Sequence, residues 1–155
     1  MSTPSSRLSL SRQWAWLGLI GVGVLLLGGA LSPPVLGGEV RAVVMHGFAP
    51  VCHQMPGRSP HLGGVVLAVC DRCLGIYTGL LAGVLLAPWG AVLWQRRRWT
   101  RRLLLGGGAA LVIDWAGPVL GLWMSTPLSR GLSGAVFGVV AAHLTATQIL
   151  RAVDR

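Results

Sequence analysis

Lysine and asparagine are absent from this chain, and four acidic residues stand against thirteen arginines. Charged residues make up only 11% of it, where a soluble domain carries about a quarter. That scarcity argues against an ordinary water-exposed surface and for a bilayer. Basic residues that are all arginine, in a chain without Lys or Asn, read as coding-sequence composition bias rather than a chemical demand for guanidinium. No Gly-x-Ser-x-Gly elbow, phosphate loop or His-Glu-x-x-His helix occurs, so a serine hydrolase or zinc protease of those classes is not expected. Nor is there a Cys-x-x-Cys-His for haem attachment.

What is present is apolar. Hydrophobic residues form 53% of the 155 positions, a length that allows one domain over residues 1–155. Four segments approach the ~20 residues needed to cross the hydrocarbon core, at about 14–31, 65–89, 103–123 and 132–150. The expected fold is therefore an all-α polytopic membrane protein of four transmembrane helices. The outer loop, residues 32–64, adds a short amphipathic helix over 38–49, with Val40, Val43, Val44, Gly47 and Phe48 on one stripe and Pro50 as its stop. That helix would deliver Cys52 and His53 to the outer mouth of the bundle.

Arginine placement sets the orientation. The N-terminus, the basic loop 94–102 and the C-terminus hold nine arginines, while Arg41, Arg58, Arg72 and Arg130 fall on the opposite side. By the positive-inside rule both termini are cytoplasmic, in what is expected to be a bacterial inner membrane. The net charge of +9 comes largely from Arg96, Arg97, Arg98, Arg101 and Arg102, between two apolar segments. It reads as topology and lipid-headgroup contact, so the lipid bilayer is the expected partner and nucleic acid is not. The basic start and apolar run of the first span also fit a signal peptide. The run is long for one, and Gly28-Gly29-Ala30 is a weak cleavage site, so an uncleaved span is expected.

Glycines recur every four positions at Gly75, Gly79 and Gly83, at Gly117 and Gly121, and at Gly134 and Gly138. Such spacing lets helix backbones approach closely in lipid. It allows packing within the chain and homo- or hetero-oligomers through the same faces.

The chemistry concentrates in one stretch, Cys52-His53 followed by Cys70-Asp71-Arg72-Cys73. Cys70 and Cys73 share a helix face with Tyr77 one turn deeper. Two sulfurs at that spacing can chelate a metal or interconvert between dithiol and disulfide. Cys52 and His53 complete a Cys3His set suited to a zinc-like ion, although neighbouring residues rarely bind one metal together. His53 is then a base or an outer-sphere group, and His46 and His61 are spare donors. An oxidising compartment favours pairing of cysteines instead, so a structural disulfide from Cys52 also stands. Asp114, near mid-span, needs a partner or a cavity at membrane depth, with Arg72, Arg130 and His143 available. Arg58 and Arg130 flank the outer mouth.

The blocks Cys52-His53-Gln54-x-Pro56-x-Arg58-Ser59 and Cys70-x-Arg72-Cys73-x-Gly75-Ile76-Tyr77-x-Gly79 resemble the small membrane proteins called domain of unknown function 2085. The likeness extends over about residues 45–140 through Ile113-Asp114, Ser125-Thr126, Arg130, Gly134 and Gly138. Leu74, Ala68 and Pro127 depart from it, where such proteins usually carry Thr, Pro and Asn. The resemblance implies a polytopic membrane protein and no established activity. Three functions are carried forward from the residues. The first is a membrane metal site of Cys52, His53, Cys70 and Cys73, with Asp114 or His53 as acid–base group and Arg58, Arg72, Tyr77 and Arg130 in support. The second is a thiol–disulfide oxidoreductase using Cys70 and Cys73, and the third a non-enzymatic scaffold or small-solute transport component.

Overall fold

The computed structural model describes residues 10–90 and 97–153. Five helices account for most of them: α1 (Leu10–Leu31), α2 (Gly38–Phe48), α3 (Asp71–Gly90), α4 (Arg97–Val119) and α5 (Pro127–Val153). By length and composition α1, α3 and α5 can cross a membrane. α4 is not among these three, because its apolar part starts only after Arg102 and is diluted by Gly106–Gly108, Asp114 and Pro118. Arg7, Arg96 and Arg155, which belong to the arginine groups used above to orient the chain, lie outside the described residues.

Several expectations are corrected. The second span does not begin at residue 65. Val65–Val66 form strand β2, antiparallel to β1 (His61–Leu62), with His61 opposite Val66 and Leu62 opposite Val65. The fold is thus not purely helical. Gly63 and Gly64 both hold positive φ, 57° and 80°, which a two-residue primed turn demands and glycine permits. The hairpin consumes residues that hydropathy alone assigns to the helix.

The helix at the expected fourth span, α5, begins at Pro127 rather than 132. Thr126 caps it: its Oγ1 accepts from Ser129 N at 3.1 Å, while Ser129 Oγ accepts from Thr126 N at 3.1 Å. This is a reciprocal capping box with proline at the first helical position.

The helix at the expected third span, α4, ends at Val119, not Trp123. Leu122 N donates to Gly117 O at 2.9 Å and Gly121, at φ 69°, donates to Pro118 O at 3.2 Å, closing a Schellman turn. Trp123 then folds back onto α4, where its indole occupies the space a Cβ on Gly117 would fill. The spacing of Gly117 and Gly121 therefore serves a helix stop, not a helix–helix face.

α2 forms where expected, but its apolar stripe is turned differently. Val44, Met45 and Phe48 are half-buried, whereas Val40 and Val43 are exposed. Phe48 is the anchor: its ring lies 3.3 Å from where a Cβ on Gly29 would stand and meets Tyr77 in a tilted ring contact, centroids 6.0 Å apart.

The backbone of the bundle is the α3–α5 contact. Cβ atoms added to Gly75, Gly79 or Gly83 would overlap the carbonyl oxygens of Gly131, Ala135 and Val139 in turn. On the other helix, Gly134 and Gly138 sit against the carbonyls of Arg72 and Ile76. Both glycine ladders are thus engaged with each other within one chain. α1 lies against α3, with Gly23 at Leu81 and Trp16 Nε1 donating to Val84 O at 2.9 Å. α4 packs on α5 through Gly107 beside Phe137.

Candidate metal centre

Each sulfur arrives by a different local route. Phe48 ends α2, and Cys52 N donates to Phe48 O at 2.9 Å, so the chain doubles back under the helix. Gln54, in the left-handed region at φ 48°, fixes the next bend by donating from Nε2 to Met45 O at 2.6 Å. The hairpin then returns the chain. Leu67 N bonds Pro60 O at 2.9 Å and Ala68 N bonds the last turn of α1 at Ala30 O, 3.2 Å. Cys70 is thereby set immediately before α3, and its N–H points at Cys52 Sγ, 3.1 Å away. Cys73 follows on the first turn.

The three sulfurs of Cys52, Cys70 and Cys73 lie within 4.8 Å of one another, and all three are free thiols. Cys52 is buried and the other two half-buried. Ala30 and Val69 enclose them together with Phe48, Leu74 and Tyr77, so the predicted support residue Tyr77 forms an apolar wall. The group brought together in this way comprises the three cysteines. His53 lines the adjoining cavity with its imidazole exposed.

Cys70 lies just outside the apolar span, with its thiol pulled down to about 5. Hydrogen bonding from the Cys73 side chain is the largest cause, opposed by burial and helped by the Cys73 and Arg72 backbone N–H groups and by Cys52. Unpaired N–H groups at a helix start favour a thiolate for the same reason. A lowered value means the nucleophile is present above it and is lost as pH falls through it. In reduced, metal-free protein, alkylation of Cys70 is therefore expected to hold at pH 6 and to fall only near pH 5. Mass spectrometry of iodoacetamide-labelled peptides across pH reads this directly. A midpoint near the ordinary thiol value of about 8.5 would contradict it.

A cavity of about 350 Å³ opens beside the sulfurs, bordered by His53, Arg58, Arg72, Asp114, Ser125 and Arg130. Two buried ion pairs hold it. Arg72 pairs with Asp114, tying α3 to α4. Arg130 binds Asp71 Oδ2 through Nη2 at 2.7 Å and Nε at 3.1 Å, and Ser125 O through Nη1 at 2.9 Å. Asp114 thus takes the first of its candidate partners. His143 is buried between α3 and α5, next to the backbone of Gly83, and is not at the cavity. The residue missed from sequence is Asp71, whose signal was its place between the two cysteines and beside Arg72.

The model of a family described as predicted membrane protein, domain of unknown function 2085, matches residues 52–144. These residues include all three cysteines and both ion pairs. An uncharacterised protein of Methanocaldococcus jannaschii is 33% identical over 91 residues, which cover 59% of this chain and 58% of the relative's own length. No solved structure gives a significant match.

Proposed function

As the chain belongs to the family of predicted membrane proteins called domain of unknown function 2085, we propose that it is a single integral domain binding a zinc-like metal through Cys52, Cys70 and Cys73 at the outer mouth of four helical spans. The observation that carries this reading is the convergence of three sulfurs within 4.8 Å. With Zn–S bonds of about 2.3 Å, sulfurs around a tetrahedral zinc stand about 3.8 Å apart, so only a small contraction is needed. Softness of the donors favours zinc over hard cations.

Three protein ligands leave a fourth position open, the pattern of a reactive rather than a purely structural zinc. That position is for water, a substrate atom or His53. A bound metal supplies Lewis acidity there. Around it, His53 on the exposed rim carries protons, while Asp114, clamped by Arg72, braces the cavity wall and is the second acid–base candidate. Arg130, with its guanidinium shared between Asp71 and Ser125, holds the start of α3 in place.

α4 is the fourth crossing in this reading. Its apolar part, Leu103 to Val119, is about 25 Å long at 1.5 Å per residue, slightly short of a core of about 30 Å. Four crossings put Arg12, Arg102 and Arg151 on one side, as positive-inside orientation with cytoplasmic termini requires. α2, with Val40 and Val43 outward, lies on the opposite membrane surface.

Elemental analysis of purified protein, paired with thiol counting before and after reduction, tests the proposal. One metal per chain is expected, lost in Cys70→Ser and in Cys73→Ser, with three thiols titrating after chelation. Metal-free protein carrying a reducible Cys70–Cys73 bond would overturn it and favour thiol–disulfide exchange with Cys52 as relay thiol.

A further inference from the structure

The cavity next to the sulfurs has a property that the metal reading does not use: an arginine with no counter-charge. Both carboxylates near its walls are already held, Asp114 by Arg72 and Asp71 by Arg130. Arg58 borders the same cavity and is exposed, and its side chain makes no hydrogen bond or ion pair among the described residues. Arg72 contributes a second unused donor, since its buried Nε has no hydrogen-bond partner. The other groups on the lining able to carry negative charge are the thiols of Cys52, Cys70 and Cys73, which a bound cation would screen.

The far wall is of opposite character. Trp115, Pro118 and Val119 line it from the last turns of α4. Trp115 and Val119 are 56% and 66% exposed, and Val112, 58% exposed, continues the same face one turn away from the mouth. Spacing of three and four residues makes Val112, Trp115 and Val119 a single apolar track along the helix. On a membrane helix such a track faces hydrocarbon.

We infer that this cavity binds a phosphate-type oxyanion through Arg58 and Arg72, presented as the headgroup of a membrane lipid whose chain lies along Val112, Trp115 and Val119. A guanidinium fork matches phosphate oxygens with two parallel N–H donors. The volume of about 350 Å³ holds a headgroup and leaves the tail outside, on the track. The binding itself does not require the metal, although it would bring a phosphate ester to the open coordination position proposed above.

Full-length protein in detergent is titrated with phosphatidic acid, with phosphatidylcholine and with inorganic phosphate, and binding is read by native mass spectrometry and calorimetry. Metal content is measured on the same samples, so failure of this site and failure of the metal site are read separately. Phosphatidic acid is expected to bind more tightly than phosphatidylcholine. Arg58→Gln should weaken it about tenfold or more, the scale of hydrogen bonds to a charged group, with Arg58→Lys recovering part of the loss. Arg58 is exposed and partnerless, so the variant folds. Trp115→Ala distinguishes the sources. Weaker binding of phosphatidic acid with inorganic phosphate unaffected supports the lipid. Inorganic phosphate binding as tightly as phosphatidic acid, with Trp115→Ala without effect on either, assigns the same arginine site to a soluble oxyanion and overturns the lipid. Equal affinity of Arg58→Gln and wild type, or of phosphatidylcholine and phosphatidic acid, overturns the site itself.

Discussion

Gly79→Val is expected to leave no properly packed bundle. A Cβ at Gly79 would overlap Ala135 O and stand 2.9 Å from Val139 N, and these are backbone atoms of α5 that cannot rotate away. The two helices would have to separate, and the contacts of Gly75 and Gly83 with the same helix would open with them. Overpacking a core costs about 1–3 kcal/mol when side chains can adjust; here only backbone can move, so the cost exceeds that range. Close approach is also what drives helix association in lipid, where apolar side chains gain little by clustering. The control is Gly106→Ala on α4, where a Cβ meets nothing within 4 Å. Fluorescence-detected size exclusion and thermal unfolding in detergent should show Gly106→Ala near wild type and Gly79→Val aggregated or melted. A folded Gly79→Val protein with unchanged melting would refute the interlock of α3 and α5.

Removing one partner of the Arg72–Asp114 pair is the second large effect. The two side chains are 19% and 9% exposed, so Asp114→Ala leaves a mostly buried guanidinium uncompensated. Breaking a buried pair in this way costs about 3–5 kcal/mol, a large share of the 5–15 kcal/mol by which domains are usually stable. Asp114→Asn keeps an acceptor and should cost less. Arg72→Met combined with Asp114→Leu removes both charges and should recover most of the loss, because much of the single-variant cost is the orphaned charge rather than the pair's own contribution. A double-mutant cycle on melting in detergent measures this. Additive losses, with no recovery in the double variant, would mean that the pair is not coupled. The link also holds α4 to the start of α3, so Asp114→Ala should loosen the cavity wall at Trp115 and quench or shift its fluorescence.

Much of this was legible in the chain because hydropathy and residue type are local. The apolar runs marked α1, α3, α4 and α5, and the two cysteine blocks marked the candidate site and the family. Other features were hidden in plain runs. Val65-Val66 continue without a break into the apolar residues before Cys70, and a short apolar run does not tell strand from helix. Only pairing with His61-Leu62 across Gly63-Gly64 separates them. The return of Trp123 onto Gly117 was likewise invisible, because a four-residue glycine spacing has the same appearance in a packing face and in a helix stop. Asp71 was read past for a different reason: its partner, Arg130, is 59 residues away.

By itself the sequence determined that this is a membrane chain with its reactive groups in one loop and one helix start. Composition and spacing carry that much without any contact being known. Tertiary structure decided which groups meet. Whether Cys52 reaches Cys70 depends on a hairpin, a left-handed Gln54 and the docking of Phe48 on Gly29 and Tyr77. Which arginine holds which carboxylate depends on the rotation and offset of α3 against α5 and α4. Those are set by glycine backbones in contact, and a helix periodic in sequence leaves its angle and register against a neighbour open until the two surfaces touch.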